Sequence, residues 1–511
     1  MVKNIFYIIS FASLFFFSCT DDAFETVKSS GDLKFSRDTV FLDTVFTNTS
    51  SSTRTLKIYN KSNHNITIPA INLGRGEQSF YRLNVDGIAG KSFENIDILA
   101  KDSIFVFIEA TIDFSQVTNP IYTDSIVFDN GSNIQDIKLV TLVQDAHFLF
   151  PKKDADGIKE KIVLGINADG EEITVDGFYL DGDTEWNDDK PYVVYGYVGV
   201  PENKILTINK GVKIHFHKNS GLLVDKGASL KVYGELGKEV VFEGDRLEPG
   251  FSEIPGQWGT IWLRAGSKNH KINYALIKNN TIGILMDSVG SLTEPTLQIK
   301  NTQIYNNSTY GILGRTANIK GKNLVLANSG QSVLGCTIGG TYDFTHSTFA
   351  NYWSNSIRNS PAVIINNYIK FQKSDGSEAI LVRDLMEANF TNCIIEGNQN
   401  IEFFIDQEEG SVFNYNFNNN LLKFYDPGGK YADNPLFDFD DESHYQHNIF
   451  NGNSNFKNVE NNDYIIGEKS DAVDKADLNS ALKVPFDLLG VNRTTNPDIG
   501  AYQHMIFEEE N

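Results

Sequence analysis

The chain has 511 residues, of which 41% are hydrophobic and 22% charged, and a formal net charge of −22. That length excludes one compact core and leaves room for two or three domains, or for one domain plus an elongated repeat array. The acidity excludes a nucleic-acid partner, because phosphate contacts need clustered Lys and Arg to release counterions, and it disfavours polyanionic glycans unless a local basic groove overrides it.

Phe (36), Tyr (21) and Gly (41) are abundant while Met and Trp number four each, a bias toward strands and tight turns. Lys3 followed by the apolar stretch from Ile5 to Phe17 reads as an export signal over residues 1–18, too short to span a bilayer comfortably. It ends in Phe16-Phe17-Ser18-Cys19, which resembles a lipoprotein signal, with Phe where Leu is usual three positions before the cysteine. The acidic run Cys19-Thr20-Asp21-Asp22 resembles the surface-export tag of Bacteroidota lipoproteins. The resemblance implies a lipid on Cys19, the membrane as a partner, and an outer-membrane, cell-surface address. An ordinary signal peptide with an incidental cysteine is the alternative. The remaining Cys336 and Cys393 are 57 residues apart, about two repeats of the array described below. With courses stacked at about 4.8 Å, two buried free thiols are expected rather than a disulfide.

Residues 19–32, polar and small, read as the lipidated cysteine and a tether. From Leu33 to Phe148 apolar residues alternate, as in Thr39 to Phe46, Thr55 to Tyr59 and Ser103 to Ile108, with turn clusters such as Asn60-Lys61-Ser62-Asn63 between them. About seven such strands predict an immunoglobulin-like β-sandwich over 33–148, without the paired cysteines of antibody domains. Residues 149–191 read as a connector. Within it Asp181, Asp183 and Glu185 crowd one loop and suggest calcium, although the spacing lacks the EF-hand glycine and distal Glu, and a solvated acidic turn is the plainer reading. No other cofactor is expected.

From Tyr192 the texture is a repeat. Short strands such as Ile205 to Asn209, Gly221 to Val224 and Ser229 to Tyr233 give way to stricter units ending in Asn. The anchors Ile304, Leu326, Phe349, Ile369, Ile395, Leu422 and Phe450 are separated by 22, 23, 20, 26, 27 and 28 residues. That is the coil length of a parallel β-helix, in which each coil buries its apolar edge only by stacking on its neighbours. Asn recurs where the coil turns, because it tolerates the left-handed region and stacked Asn side chains pair along the axis. About ten coils are expected. The fold class is therefore all-β: a sandwich, then a right-handed parallel β-helix over 192–504, with 505–511 as a tail. The segment from Phe486 onward is expected to close the last coil and block end-to-end stacking.

Gly256-Gln257-Trp258-Gly259-Thr260-Ile261-Trp262-Leu263 and the closing Pro497-Asp498-Ile499-Gly500-Ala501-Tyr502, with Leu489 to Arg493 before it, resemble secreted bacterial right-handed β-helix repeat lipoproteins. The likeness covers more than half of the chain and implies fold and address, with no assigned reaction.

Catalytic patterns are sparse. No Gly-His-Gly accompanies a carboxylate pair, as a polygalacturonase-like hydrolase needs; the tight acidic pairs, Glu408-Glu409 and Asp440-Asp441, lie in irregular loops. Arg315, Arg358 and Arg383 are spaced by 43 and 25 residues, so they suit one cationic face that a polysaccharide lyase would use, or simply solvated arginines. Tyr352, Trp353 and Tyr445 are candidate sugar-stacking platforms, whereas Trp258 and Trp262 read as core or cap packing. His215 and His217 alternate along one strand, and His444 and His447 lie three apart, without a third metal ligand. Thr39, Thr44, Ser103, Ser125 and Ser288 each follow Asp and precede an aliphatic residue, which resembles the O-glycosylation sequon of Bacteroidota surface proteins. The function expected is a non-enzymatic surface module that binds polysaccharide or a surface protein, with an acidic-glycan lyase as the alternative.

Overall fold

The computed structural model describes residues 25–508 except 168, 289–293 and 374. The export signal, Cys19 and residues 509–511 lie outside the described residues. The chain divides into two compact units that meet between Asp145 and Ala146. Both are built of strands, and among the described residues the one α-helix is the four-residue Leu478–Ala481. Among the described residues no helix is long and apolar enough to cross a membrane.

In the first unit two sheets, of six and five strands, contribute to one core. The larger runs Val27–Lys28, Ile66–Leu73, Ile121–Phe128, Gln135–Gln144, Thr39–Phe46, with Ser92–Ile98 also on Ile66–Leu73; the smaller runs Lys34–Phe35, Arg54–Tyr59, Ser103–Ala110, Tyr81–Val85, Ile88–Gly90. Period-two alternation decides which side chains enter. Along Ser103–Ala110, Val106, Ile108 and Ala110 are buried, while Phe105 and Phe107 stand 46% and 42% exposed. Three strands of two or three residues at sheet edges, Val27–Lys28, Lys34–Phe35 and Ile88–Gly90, carry too few side chains for alternation to reveal them. The first corrects the tether reading, since Val27 and Lys28 pair in parallel with Ile66 and Thr67.

The second unit is dominated by one 27-stranded sheet in which most strands pair in parallel with the strand three places later. Tyr192, Ile214, Phe242, Ile277, Ile304, Leu326, Phe349, Ile395, Leu422 and Phe450 stand in one column of partners. No single course can bury such a column; stacking makes each residue the cover of the next. At the corners Asn279, Asn301, Asn306, Asn323, Asn328, Asn392, Asn419 and Asn451 all have positive φ. Asn323 Nδ2 donates to Asn301 Oδ1 at 2.9 Å, and Asn301 Nδ2 to Asn273 Oδ1 at 2.9 Å, so amides pair along the stack.

Four expectations are corrected here. Ile369 is not an anchor: Phe349 pairs directly with Ile395, and Tyr368–Gln372 and Glu378–Val382 form an antiparallel hairpin on which Ile369 is 42% exposed. A two-stranded excursion mimics the repeat length because it too contains alternating apolar residues. The connector is not one: His147–Leu149 pairs with Tyr192–Val194, Glu172–Tyr179 with Tyr197–Val200, and Thr184–Trp186 with Ile205–Asn209. The regular stack also ends before 504, its last parallel pair being Leu421–Leu422 with Ile449–Phe450.

The fourth concerns the C-terminal segment, which lies along the side of the stack instead of closing its last course. Asn323 Nδ2 donates to the carbonyl of Phe486, Asn419 Nδ2 to that of Lys475, and Gly500 N to that of Asn392. Ala501 and Tyr502 pack with Val325, Ala327 and Ala350, which present small side chains outward beneath them. Gly500 has φ of 104°, and a Cβ there would lie 2.8 Å from Ile394 Cδ1, so this contact requires glycine. Arg493, fully buried, holds the closing motif by donating to the carbonyls of Gly500 and Ala501 at 3.2 and 3.0 Å.

Candidate functional site

The sequence-chosen residues do not assemble. Arg358 is buried in a two-pronged ion pair with Glu402, Nη1 to Oε2 at 2.9 Å and Nη2 to Oε1 at 2.6 Å, and also donates to Asn398 Oδ1 and the carbonyls of Asn351 and Ser360. Arg315 pairs with Asp287, and Arg383 donates to the carbonyl of Val382. The three serve separate partners from different settings: Arg315 is on a strand, Arg358 is in the loop between Thr348–Asn351 and Val363–Asn366, and Arg383 directly follows the hairpin strand Glu378–Val382. Of the aromatic platforms, Tyr445 is a packing residue, whereas Tyr352 and Trp353 pack and also line a smaller cleft with Asn306, Asn328 and Asn462. Trp353 and Tyr445 are buried, the latter donating to Leu436 O at 2.6 Å, and Tyr352 stacks on Tyr464. Burial raises the pKa of Tyr352 and Tyr445, and nearby Glu396 adds to the shift at Tyr352.

The calcium residues also disperse. Asp183 accepts from Ile205 N, Glu185 from Asn209 Nδ2, and Asp181 is exposed. Among the described residues no three His, Cys, Asp or Glu side chains come together to hold a metal ion. His215 is buried against Gly244 O and Glu243, whereas exposed His217 pairs with Asp245, so the two imidazoles serve separate partners. Trp258 is core, stacked on Phe216 at 4.4 Å and donating to Lys278 O, in keeping with the packing reading. Cys336 and Cys393 are buried free thiols, as expected. Of the modification candidates, Thr39, Thr44, Ser103 and Ser125 are half-buried within strands of the first unit, and Ser288 is exposed beyond the end of Asn280–Asp287.

What the fold brings together lies at the start of the stack, in a cleft of about 1030 Å³ within the second unit. Its floor is Tyr197 with Gly259 and Thr260, and it is also lined by Tyr195, His217, Lys218 and Asn219 and by Lys153, Lys159 and Asp176. Tyr197 lies against backbone with no side chains intervening. A Cβ on Gly221 would meet its ring at 2.6 Å, and one on Gly259 its hydroxyl at 2.2 Å. Two glycines thus make the bed for one aromatic ring, and burial raises its pKa.

Tyr195 packs against the imidazole of His217 at 4.6 Å, and His217 Nδ1 lies 2.7 Å from Asp245 Oδ2, which fixes the ring. Val175 and Asp176 in the lining belong to the hairpin Lys161–Ile166 and Glu172–Tyr179. Ile162, fully buried, seats this hairpin over Gly177 and Gly199, and Arg264 ties it down by donating to the carbonyls of Val163 and Leu164 and to Asp225 Oδ1. Arg264 is therefore a brace. The sequence contained the signal Tyr195-Gly196-Tyr197, but its alignment with Gly221 and Gly259 depends on strand register, which spacing alone did not reveal.

No family model matches this chain, and none of the curated proteins does. Among solved structures, a family 123 glycoside hydrolase from Clostridium perfringens, described in terms of glycolipid glycan hydrolysis, is similar over 22% of this chain at 10% identity and a TM-score of 0.17. The chain spans about a quarter of that structure's length (26%), and a likeness so slight carries no argument about fold or reaction.

Proposed function

We propose that this chain is a surface lipoprotein, anchored through Cys19, in which an immunoglobulin-like sandwich precedes a right-handed parallel β-helix that binds glycan without transforming it. The single column of partners from Tyr192 to Phe450 supports the helical reading, since crossovers between parallel strands are almost always right-handed. The observation that carries the binding role is the cleft beside Tyr195 and Tyr197: a concave site with two aromatic rings and a rim of amide, imidazole and ammonium groups suits a saccharide, whose ring faces stack and whose hydroxyls need polar partners. Lyase chemistry on an arginine face loses its support with Arg358 buried against Glu402. The address rests on the resemblance of residues 1–22 to lipoprotein export signals, and O-glycosylation at Thr39, Thr44, Ser103, Ser125 and Ser288 belongs to the same proposal.

Titration calorimetry of the purified chain against a panel of defined oligosaccharides tests this reading, with ultraviolet absorbance followed for unsaturated products. Binding heat without product, weakened at least about tenfold in both Tyr195→Ala and Tyr197→Ala, is expected. Growth of absorbance would overturn the non-catalytic reading. Binding untouched by either substitution would overturn the site.

A further inference from the structure

We infer that this cleft selects an acidic sugar, a uronate or a sulfate ester, through Lys153 and Lys218; the inference rests on the reading of the cleft as a glycan site. The chain carries a net charge of −22, so a polyanion approaching at random is repelled. Against that background the cleft is locally inverted: it is lined by three lysines, Lys153, Lys159 and Lys218, and by one carboxylate, Asp176. That carboxylate is already engaged, since Lys159 Nζ lies 3.1 Å from its Oδ2. Asp245, next to the rim, is engaged by His217 at 2.7 Å. Asp154, beyond the cleft wall, turns its carboxylate onto the amides of Asp156 and Ile158.

Lys153 and Lys218 remain without a carboxylate partner among the described residues, whereas elsewhere in this unit Lys210 pairs with Glu235, Lys278 with Glu243 and Glu253, and Lys320 with Asp343. Their placement is structural. Lys153 is held by a backbone bridge to Lys159, Lys218 follows His217 in the chain, and both line the cleft with Tyr197. Two lysines lining one cleft with the Tyr197 ring match a sugar whose ring stacks while an anionic substituent is neutralised by an ammonium group.

The test compares a galacturonate hexamer, a sulfated galactan oligomer and a neutral galactan oligomer on the full chain, the Lys153→Ala/Lys218→Ala variant, and a charge-matched control, Lys469→Ala/Lys475→Ala. The expected result is that at least one acidic oligomer binds about tenfold or more tightly than the neutral one. That preference disappears in the cleft variant, survives in the control, and weakens with added salt. Comparison of the carboxylated and sulfated oligomers separates the two sources of charge. Equal affinity for neutral and acidic oligomers, lost in Tyr195→Ala, would sink the inference and leave the glycan reading standing. Acidic preference persisting in the cleft variant would move anion recognition elsewhere. Failure of every oligomer to bind would remove both.

Discussion

Single residues in this protein are chosen by corners and by contacts between courses. Asparagine occupies left-handed corners where its amide also bonds the course above or below, as Asn323 does to Asn301, so one side chain meets a backbone demand and an axial one. This was legible in the sequence because it depends only on local geometry and repetition. Cys393 illustrates the same economy inward. Its amide donates to Asn420 Oδ1 at 2.7 Å, its thiol lies against the carbonyl of Thr391, and burial pushes its pKa up to about 12. Neither Cys336 nor Cys393 should therefore react with a disulfide reagent in the native protein at neutral pH, and both should react in denaturant. Counting titratable thiols before and after denaturation checks this, and rapid native labelling of either would contradict the burial.

At the level of elements, strands repeat predictably while the excursions between them do not. The hairpin at 368–382 and the C-terminal segment both escaped the repeat reading, because neither obeys the register that defines it. The loop between Thr348–Asn351 and Val363–Asn366 is instead held by Arg358 and Glu402, whose side chains are 1% and 0% exposed. Glu402 also accepts from Ala362 N and Gln399 N, so every lone-pair direction of the carboxylate is used. Arg358→Ala would strand this buried charge. It should lower unfolding stability by about 3–5 kcal/mol while leaving the oligosaccharide binding proposed for the cleft unchanged in whatever fraction remains folded. Urea titration combined with calorimetry separates the two effects. An arginine that had looked like a catalytic candidate thus becomes a strut, and only its partner, 44 residues away, reveals which it is.

For the whole molecule, the stack buries imidazoles as neutral groups. Burial, with Lys231 adding to it, pushes His270 down to about 3; burial also lowers His215 and, with Arg493 nearby, takes His346 well below the usual range. His270 Nδ1 accepts from Leu230 N at 3.1 Å, which requires the neutral ring. Above pH 6.5, the ordinary histidine value, both folded and unfolded chains hold these rings neutral and nothing is gained or lost. As pH falls from there toward 3, the unfolded chain takes up protons that the fold refuses, so stability falls, by up to about 1.4 kcal/mol per pH unit for each such ring. Glu396, raised by burial, acts in the opposite sense, one group against three. Urea midpoints measured from pH 8 downward should fall below pH 6.5, and His270→Asn should flatten the decline. A midpoint that rises with acidification would refute this accounting of the buried histidines.

By itself the sequence determined the all-β composition, the succession of an alternating region and a repeat, the inward anchors other than Ile369, the asparagine corners and the two buried thiols. All of these follow from periodicity and backbone preference, which act over a few residues. Tertiary structure alone decided that His147–Leu149, Glu172–Tyr179 and Thr184–Trp186 join the stack, that the C-terminal segment lies along its side, that Arg358 meets Glu402, and that Tyr197 lies on Gly221 and Gly259 in a cleft with two lysines that have no carboxylate partner among the described residues. Those outcomes depend on register between courses 24 to 44 residues apart in the chain, and a one-residue shift in register redirects every side chain.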